Sequence, residues 1–291
     1  VEPRLGQATN GKIAVNAVMA GCEPSHLPVL RAATRAMCNA RFNLKALQST
    51  THPCTVLVLV SGPVVEAIGV NGAYNAMGQG SKANATIGRA VRLILTNVGG
   101  ASPGVLDRAT MGSPAKYSFC FSENTEANPW QAYPSDLGLD PDGSYVTVCG
   151  VEGPHNVNDH FGRTGEEILL TIAGTLASPG ANNFYLKGQI VVVIGPEHAE
   201  VIAGDGFSKS DVRRYLSEHA VIPRALVSHA LIEVLEQRMP EHLLGSRGCD
   251  GVRMMTDPEN FIILVAGGAG RQSAVLPTFG HTTQAVTERI D

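Results

Sequence analysis

The sequence predicts an α/β fold with a mainly parallel sheet and flanking helices. Three short apolar runs carry that expectation: "TVLVLVSGPVVEAIG" (Thr55–Gly69), "QIVVVIGPEHAEVIA" (Gln189–Ala203) and "FIILVAGGAGRQSAV" (Phe261–Val275). Each is rich in β-branched residues and lacks polar alternation, the pattern of strands buried on both faces. Each then meets Gly-Pro or Gly-Gly, where glycine permits a sharp turn and proline suits the first turn of a helix. Strands are therefore placed at about 56–60, 190–194 and 261–265, as parallel neighbours in one sheet with their glycine turns along one edge.

The other elements follow in chain order. "KIAVNAVMAGCEPSHLPVLRAATRAM", from Lys12, reads as an apolar strand, a polar turn and a helix. "SYVTVCGVEGPHNVNDHFGRTGEEILLTIAGTLA", from Ser144, repeats that plan with a longer turn. Two to three pseudo-repeats of a strand-turn-helix unit result, at about 12–97 and 145–220, with a partial one at 250–290, all within a single domain of 1–291. Residues 97–144 break the rhythm with "NVGGASPG" and "DLGLDPDGS", and read as a loop-rich excursion holding one strand near Tyr117–Ser122. Excursions of this length in compact domains often carry function. A helix is expected from Pro223 to Arg238, stopped by Pro240.

The 291 residues suffice for a sizeable core, and the 16% charged and 44% hydrophobic fractions are those of an ordinary globular chain. With 22 basic against 26 acidic residues, and no basic tract, nucleic acid is an unfavoured partner. No apolar run approaches the roughly 18–20 residues that cross a bilayer, so a membrane partner is not expected either. The six cysteines are irregularly spaced and form no C-x-x-C pair, which points to reduced thiols and a cytoplasmic setting.

If the strands run parallel, their carboxyl-end turns gather where open α/β sheets bind ligands. That places Cys22, Glu152, His155 and His198 as catalytic candidates, with Ser61, Gly62 and Glu197 nearby. Cys22 stands at an expected helix start, which would lower its thiol pKa. In "EGPHNVNDH", His155 and Glu152 are read as acid/base groups. Alternatively His155, His160 and His198 hold a divalent metal ion. A third reading has Asn158 or Asp159 capping the helix near Thr164, with the histidines bonded to backbone. His52, Lys82, Arg89, Lys116, Glu123 and Ser273 are candidates for holding a small anionic substrate, since "GQGSKANATIGRA" resembles an anion-binding helix start. Neither this string nor "GGAGRQS" matches a P-loop or a full dinucleotide fingerprint, so NAD and ATP are unfavoured cofactors.

The motifs "KIAVNAVMAGC", "STTHP", "KANATIGRA", "PAKYSFCFSENTEANPW", "EGPHNVNDH" and "GPEHAEVIA" resemble a largely uncharacterised bacterial family associated with the UGSC and CGSC thiol and selenoproteins, as a companion or fused domain. The chain has no such motif of its own; its nearest string is "GSRGC" at Gly245–Cys249. The resemblance implies an enzyme-like domain working beside a thiol or selenol partner. Three functions stay open. One is thiol-assisted redox or carbon–heteroatom bond cleavage by Cys22. The second is a metal-dependent hydrolase or lyase. The third is a non-catalytic ligand-binding subunit, and a homo-oligomer is compatible with each.

Overall fold

The computed structural model of the protein describes residues 1–244, 250–280 and 282–291. The first half runs α1 (Asn10–Ala20), α2 (Leu27–Cys38), α3 (Leu44–Ser49), β1 (Thr55–Ser61), α4 (Val64–Ala67), α5 (Lys82–Asn97), β2 (Cys120–Ser122), α6 (Tyr133–Asp136), β3 (Tyr145–Val151) and β4 (His155–Asn158). The second half begins α7 (Gly165–Leu176), α8 (Asn182–Leu186), β5 (Ile190–Ile194), α9 (Pro196–Gly204), α10 (Lys209–His219), β6 (Val221–Pro223) and α11 (His229–Arg238). It ends β7 (Leu243–Leu244), β8 (Gly251–Arg253), β9 (Phe261–Val265), β10 (Gln272–Leu276) and β11 (Val286–Arg289).

The three apolar runs are strands, but they do not share one parallel sheet. The first sheet has the order β11-β3-β1-β2 and the second β4-β10-β5-β9. In the first only β1 and β2 run parallel; in the second only β5 and β9 do. The remaining pairs in both sheets are antiparallel. The expectation of a mainly parallel sheet is therefore corrected to two mixed sheets. A small antiparallel sheet, β6-β8-β7, is appended.

The apolar runs misled because burial on both faces has two physical solutions. Along β1, Val56, Val58 and Val60 pack on α1, α2, α3 and α5, whereas Leu57 and Leu59 turn the other way. Along β5 and β9, Ile194 and Ile263 pack on α7, α9 and α10, while Val191, Val193, Ile262 and Leu264 meet Leu57 and Leu59. The architecture is thus four layers: helices, sheet, sheet, helices. A helix layer covers one face of each strand and the opposing sheet covers the other.

The last strands of the halves exchange sheets. β3 lies in the first sheet and continues into β4 at the edge of the second, while β10 continues into β11 at the edge of the first. At the crossing the two segments bond to each other, Glu152 N donating to Pro277 O at 2.7 Å and Phe279 N to Gly150 O at 2.9 Å.

Two local readings also change. Residues from Lys12 form α1, not a strand. Thr9 caps it through the Lys12 N–H and Gly21, at φ 85°, ends it. Within the stretch expected to be an apolar strand, Ile13 and Ala17, four apart, are buried on one helix face while Val15 is 59% exposed. Residues Pro223–Leu226 close a strand and a 3-10 turn, so the helix expected from Pro223 starts at His229. The excursion does hold a strand, at Cys120–Ser122.

The cap of α7 is Thr164, whose hydroxyl accepts from Glu167 N while Glu167 reaches back to Thr164 N, a reciprocal capping box. Asn158 sits upstream in β4, and Asp159 instead accepts from Phe161 N and Gly162 N. Thr164→Ala is expected to lower stability by about 1 kcal/mol in urea unfolding. Asn158→Ala, on an exposed edge-strand position, should change it by less than about 0.5 kcal/mol.

Candidate functional site

The parallel pair β1–β2 ends on a cleft of about 760 Å³. Ser61 and Gly62 at the end of β1, and Ser122 and Glu123 at the end of β2, form its floor, with Asn71 and Gly72 on one wall. Its edge also receives β9, because Asn124 N donates to Val265 O at 2.9 Å and Gly267 N to Gly72 O at 2.8 Å. Carboxyl ends of strands from both sheets therefore converge here, the position at which α/β proteins bind ligands.

The local sequence explains the shape. Gly62 has φ 89°, and a Cβ there would run into the Gly143 backbone. Asn84, buried on α5, works like an extra peptide group: its Oδ1 accepts from Asn71 N at 2.8 Å, and its Nδ2 donates to Asn71 O and Ala76 O. That staple fixes the wall at residues 71–76 and accounts structurally for the asparagine in "KANAT".

Glu123 is 5% exposed, and burial pushes its carboxyl above the ordinary range. Lys209 and two backbone donors pull the other way: Tyr133 N reaches Oε2 at 2.7 Å and Val265 N reaches Oε1 at 3.4 Å. Beside it, the hydroxyls of Ser61 and Ser122 are buried with no hydrogen-bond partner among the described residues. The cleft also carries Glu66 and Glu126, and no Lys, Arg or His among the described residues lines it.

The candidates chosen from sequence are divided among several places, because β1 and β3 are antiparallel. Thr55 pairs with Val151 and Ser61 with Tyr145, so the end of β3 lies at the opposite edge from Ser61. Glu152 and His155 do line one cleft, of about 440 Å³, together with Thr175 and Ser178. Glu152 Oε1 accepts from Asn182 N at 2.9 Å; burial raises this carboxyl, with Asn182 and His52 opposing. His155 is exposed on the edge strand β4. His52 packs edge-on against Phe279, centroids 5.7 Å apart. The buried Cys54 thiol accepts from Asn182 Nδ2 at 3.0 Å and is pushed up to about 12, by burial first and Glu152 second.

Cys22 is not at a helix start. Its N–H closes the C-terminal cap of α1 by donating to Ala17 O, at the negative end of that helix. Burial raises its thiol, only partly offset by Thr86 and Lys82. Burial also raises Cys120 and Cys149. His198 is fully buried: Nε2 bonds to Asp159 O at 3.0 Å and Nδ1 to Ser273 Oγ at 2.8 Å. A carbonyl only accepts, so Nε2 carries the proton and the Ser273 hydroxyl donates to Nδ1, while accepting from Gly195 N. The two side chains are thus bonded to each other and to backbone inside the core.

The metal set is not assembled. His198 has both nitrogens engaged, His160 is exposed beside Gln272, and no group of three metal-ligating side chains occurs among the described residues. Lys82 pairs with Glu23 on the surface and Arg89 is exposed on α5. Lys116 is held at 2.7 Å by both oxygens of Asp107. "GGAGRQS" leads into β10, not a helix, so it forms no dinucleotide turn. "GSRGC" lies outside the described residues. Sequence reasoning passed over Asn71 and Ser122. The Gly-Pro after β1 was a signal for this edge, but nothing in the sequence marked β2 as its parallel neighbour.

Fold and cleft together define a four-layer α/β/β/α protein with an acidic pocket at a strand edge. No family model matches the chain, and no curated protein sequence matches it. No helix among the described residues is long and apolar enough to cross a membrane.

Proposed function

We propose that the protein is an enzyme that acts by proton transfer on a small polar molecule held in the carboxyl-edge cleft. Glu123 is the acid/base group, and Ser61 and Ser122 bind the substrate. The observation that carries this is a raised, buried carboxyl beside two buried hydroxyls without a partner among the described residues. Buried hydroxyls are ordinarily bonded, and perturbed carboxyls in clefts are candidates for proton transfer. The acidic lining favours a neutral or cationic substrate here over the anion expected from sequence. The role beside a thiol or selenol partner, implied by the family resemblance, belongs to this proposal too. Burial raises the thiols of Cys22, Cys54, Cys120 and Cys149, which disfavours these four as nucleophiles.

The test uses Ser61→Ala and Ser122→Ala in a thermal-shift panel of small amines, amides, polyols, carboxylates and phosphates. Each variant should leave the free protein as stable or about 1 kcal/mol more stable, since an unmet buried hydroxyl is removed. Each should also lose the stabilisation that an amine, amide or polyol gives the wild type. Glu123→Gln should stop turnover of that compound while retaining its binding. A response to anions alone, or an unchanged response in both serine variants, would overturn the reading.

A further inference from the structure

A second cavity, of about 250 Å³, lies away from both clefts and is lined by Lys187, Gln189, His242, Thr256, Thr283 and Gln284, among others. Lys187 is 7% exposed, and its Nζ donates to Arg253 O at 3.2 Å and sits 5.3 Å from the centre of the Phe184 ring. Among the described residues no carboxylate lines the cavity and no salt bridge reaches Lys187; the exposed Glu241, beside His242, acts on the ammonium only from a distance. A buried charge is normally paired directly, and this ammonium has no carboxylate in contact among the described residues.

The surrounding groups are donors. Gln189 Oε1 already accepts from Ala285 N at 2.7 Å and Gln284 Oε1 from Arg41 Nε at 2.9 Å, which leaves each NH2 group to donate. Thr283 Oγ1 is buried without a partner among the described residues, its methyl being the part nearest Gly150. His242, 4% exposed, donates from Nδ1 to Arg253 O at 3.0 Å. The backbone is also unusual. Lys187 has φ 53°, a left-handed conformation that a lysine rarely adopts. It is held by Asn183, whose Nδ2 donates to Lys187 O at 2.8 Å. Strain of this kind is retained where the placement of a side chain matters.

We propose that this cavity is a binding site for a small carboxylate, with Lys187 as its cation and Thr283 and the two glutamine amides as its hydrogen-bond donors. The site is independent of the carboxyl-edge cleft. It gives the anionic ligand expected from sequence a different address, built from residues that no motif marked. Burial has already pushed the Lys187 amine down to about 8. A bound carboxylate needs the protonated form, so affinity is full below pH 8 and lost as the pH rises through that value. Above it the loss is about tenfold per pH unit. A surface lysine would hold its charge to about pH 10.4.

Acetate and pyruvate, with phosphate as the contrasting anion, are titrated into the intact protein by calorimetry from pH 7 to 10. The expected result is binding of acetate or pyruvate that weakens above pH 8. Thr283→Val should weaken it and Lys187→Met abolish it. In wild type carrying 15N-labelled lysine, acetate should move the Lys187 amine titration upward. That readout needs no variant, so it decides the matter if Lys187→Met fails to fold. Binding of phosphate alone, affinity unchanged to pH 10, or a Lys187 titration that neither carboxylate moves would overturn the proposal.

Discussion

His198→Ala is expected to cost about 3–5 kcal/mol of folding stability, the range for truncating a large buried ring. The ring is 0% exposed, and its loss leaves the Ser273 hydroxyl and the Asp159 carbonyl without their partner. Those two contacts tie α9 to β10 and to the segment after β4, so the damage spreads through the second sheet. Urea unfolding at pH 7.5 measures it. A pH series adds a second signature. Burial lowers the His198 pKa, so the folded state keeps the ring neutral while the unfolded state takes up a proton. The stability from the neutral ring is present above the unfolded value of about 6.5 and is lost as the pH falls through the lowered folded value. The wild type should therefore weaken below pH 6.5, and His198→Ala should weaken less steeply. His26 and His242 are lowered by burial too, so part of the slope will persist. A variant of native stability that had lost activity would instead make His198 a catalytic group.

Asp136→Ala should be comparably damaging, at about 3–5 kcal/mol, because it strands two buried cations. Asp136 Oδ2 lies 2.7 Å from Arg213 Nη2 and 3.1 Å from Lys209 Nζ, with all three side chains at 16% exposure or less. This cluster pins α6 of the excursion to α10, and α6 carries the Tyr133 N–H that Glu123 accepts. The carboxyl-edge cleft should loosen together with the fold. Differential scanning calorimetry with limited proteolysis of residues 123–144 would show both effects. If cleavage in that segment stays as slow as in the wild type, the cluster does not position the site. Removing Lys209 as well, in Asp136→Ala/Lys209→Met, should recover part of the loss by taking away one of the unpaired charges.

How far the site was legible in the sequence depended on the range of the signal. Strand positions at 56–60, 190–194 and 261–265 were legible because apolar β-branched runs bounded by glycine have few other uses. So was the convergence of Glu152 and His155, which are three residues apart on a tight turn. Partners were not legible. Continuous hydrophobicity reports that both faces of a strand are dry, and it is silent on whether a helix or a second sheet does the drying. It is equally silent on whether the neighbouring strand runs parallel. Reading β3 as parallel to β1 put Glu152 and Ser61 on one edge; the antiparallel register separates them.

The sequence by itself determined where the buried strands lie, where their glycine turns fall and which side chains have chemistry to offer. Only the tertiary structure decided that the strands form two facing sheets, that His198 and Ser273 bond to each other in the core, and that Glu123 and Lys187 are buried beside cavities. The physical reason is the distance over which each is specified. A turn or an apolar run is settled by residues a few positions apart. The pairing direction of a strand, the burial of a carboxyl and the setting of an ammonium depend on groups from tens to more than a hundred residues away, as Thr55 opposite Val151 and Val265 N on Glu123 show.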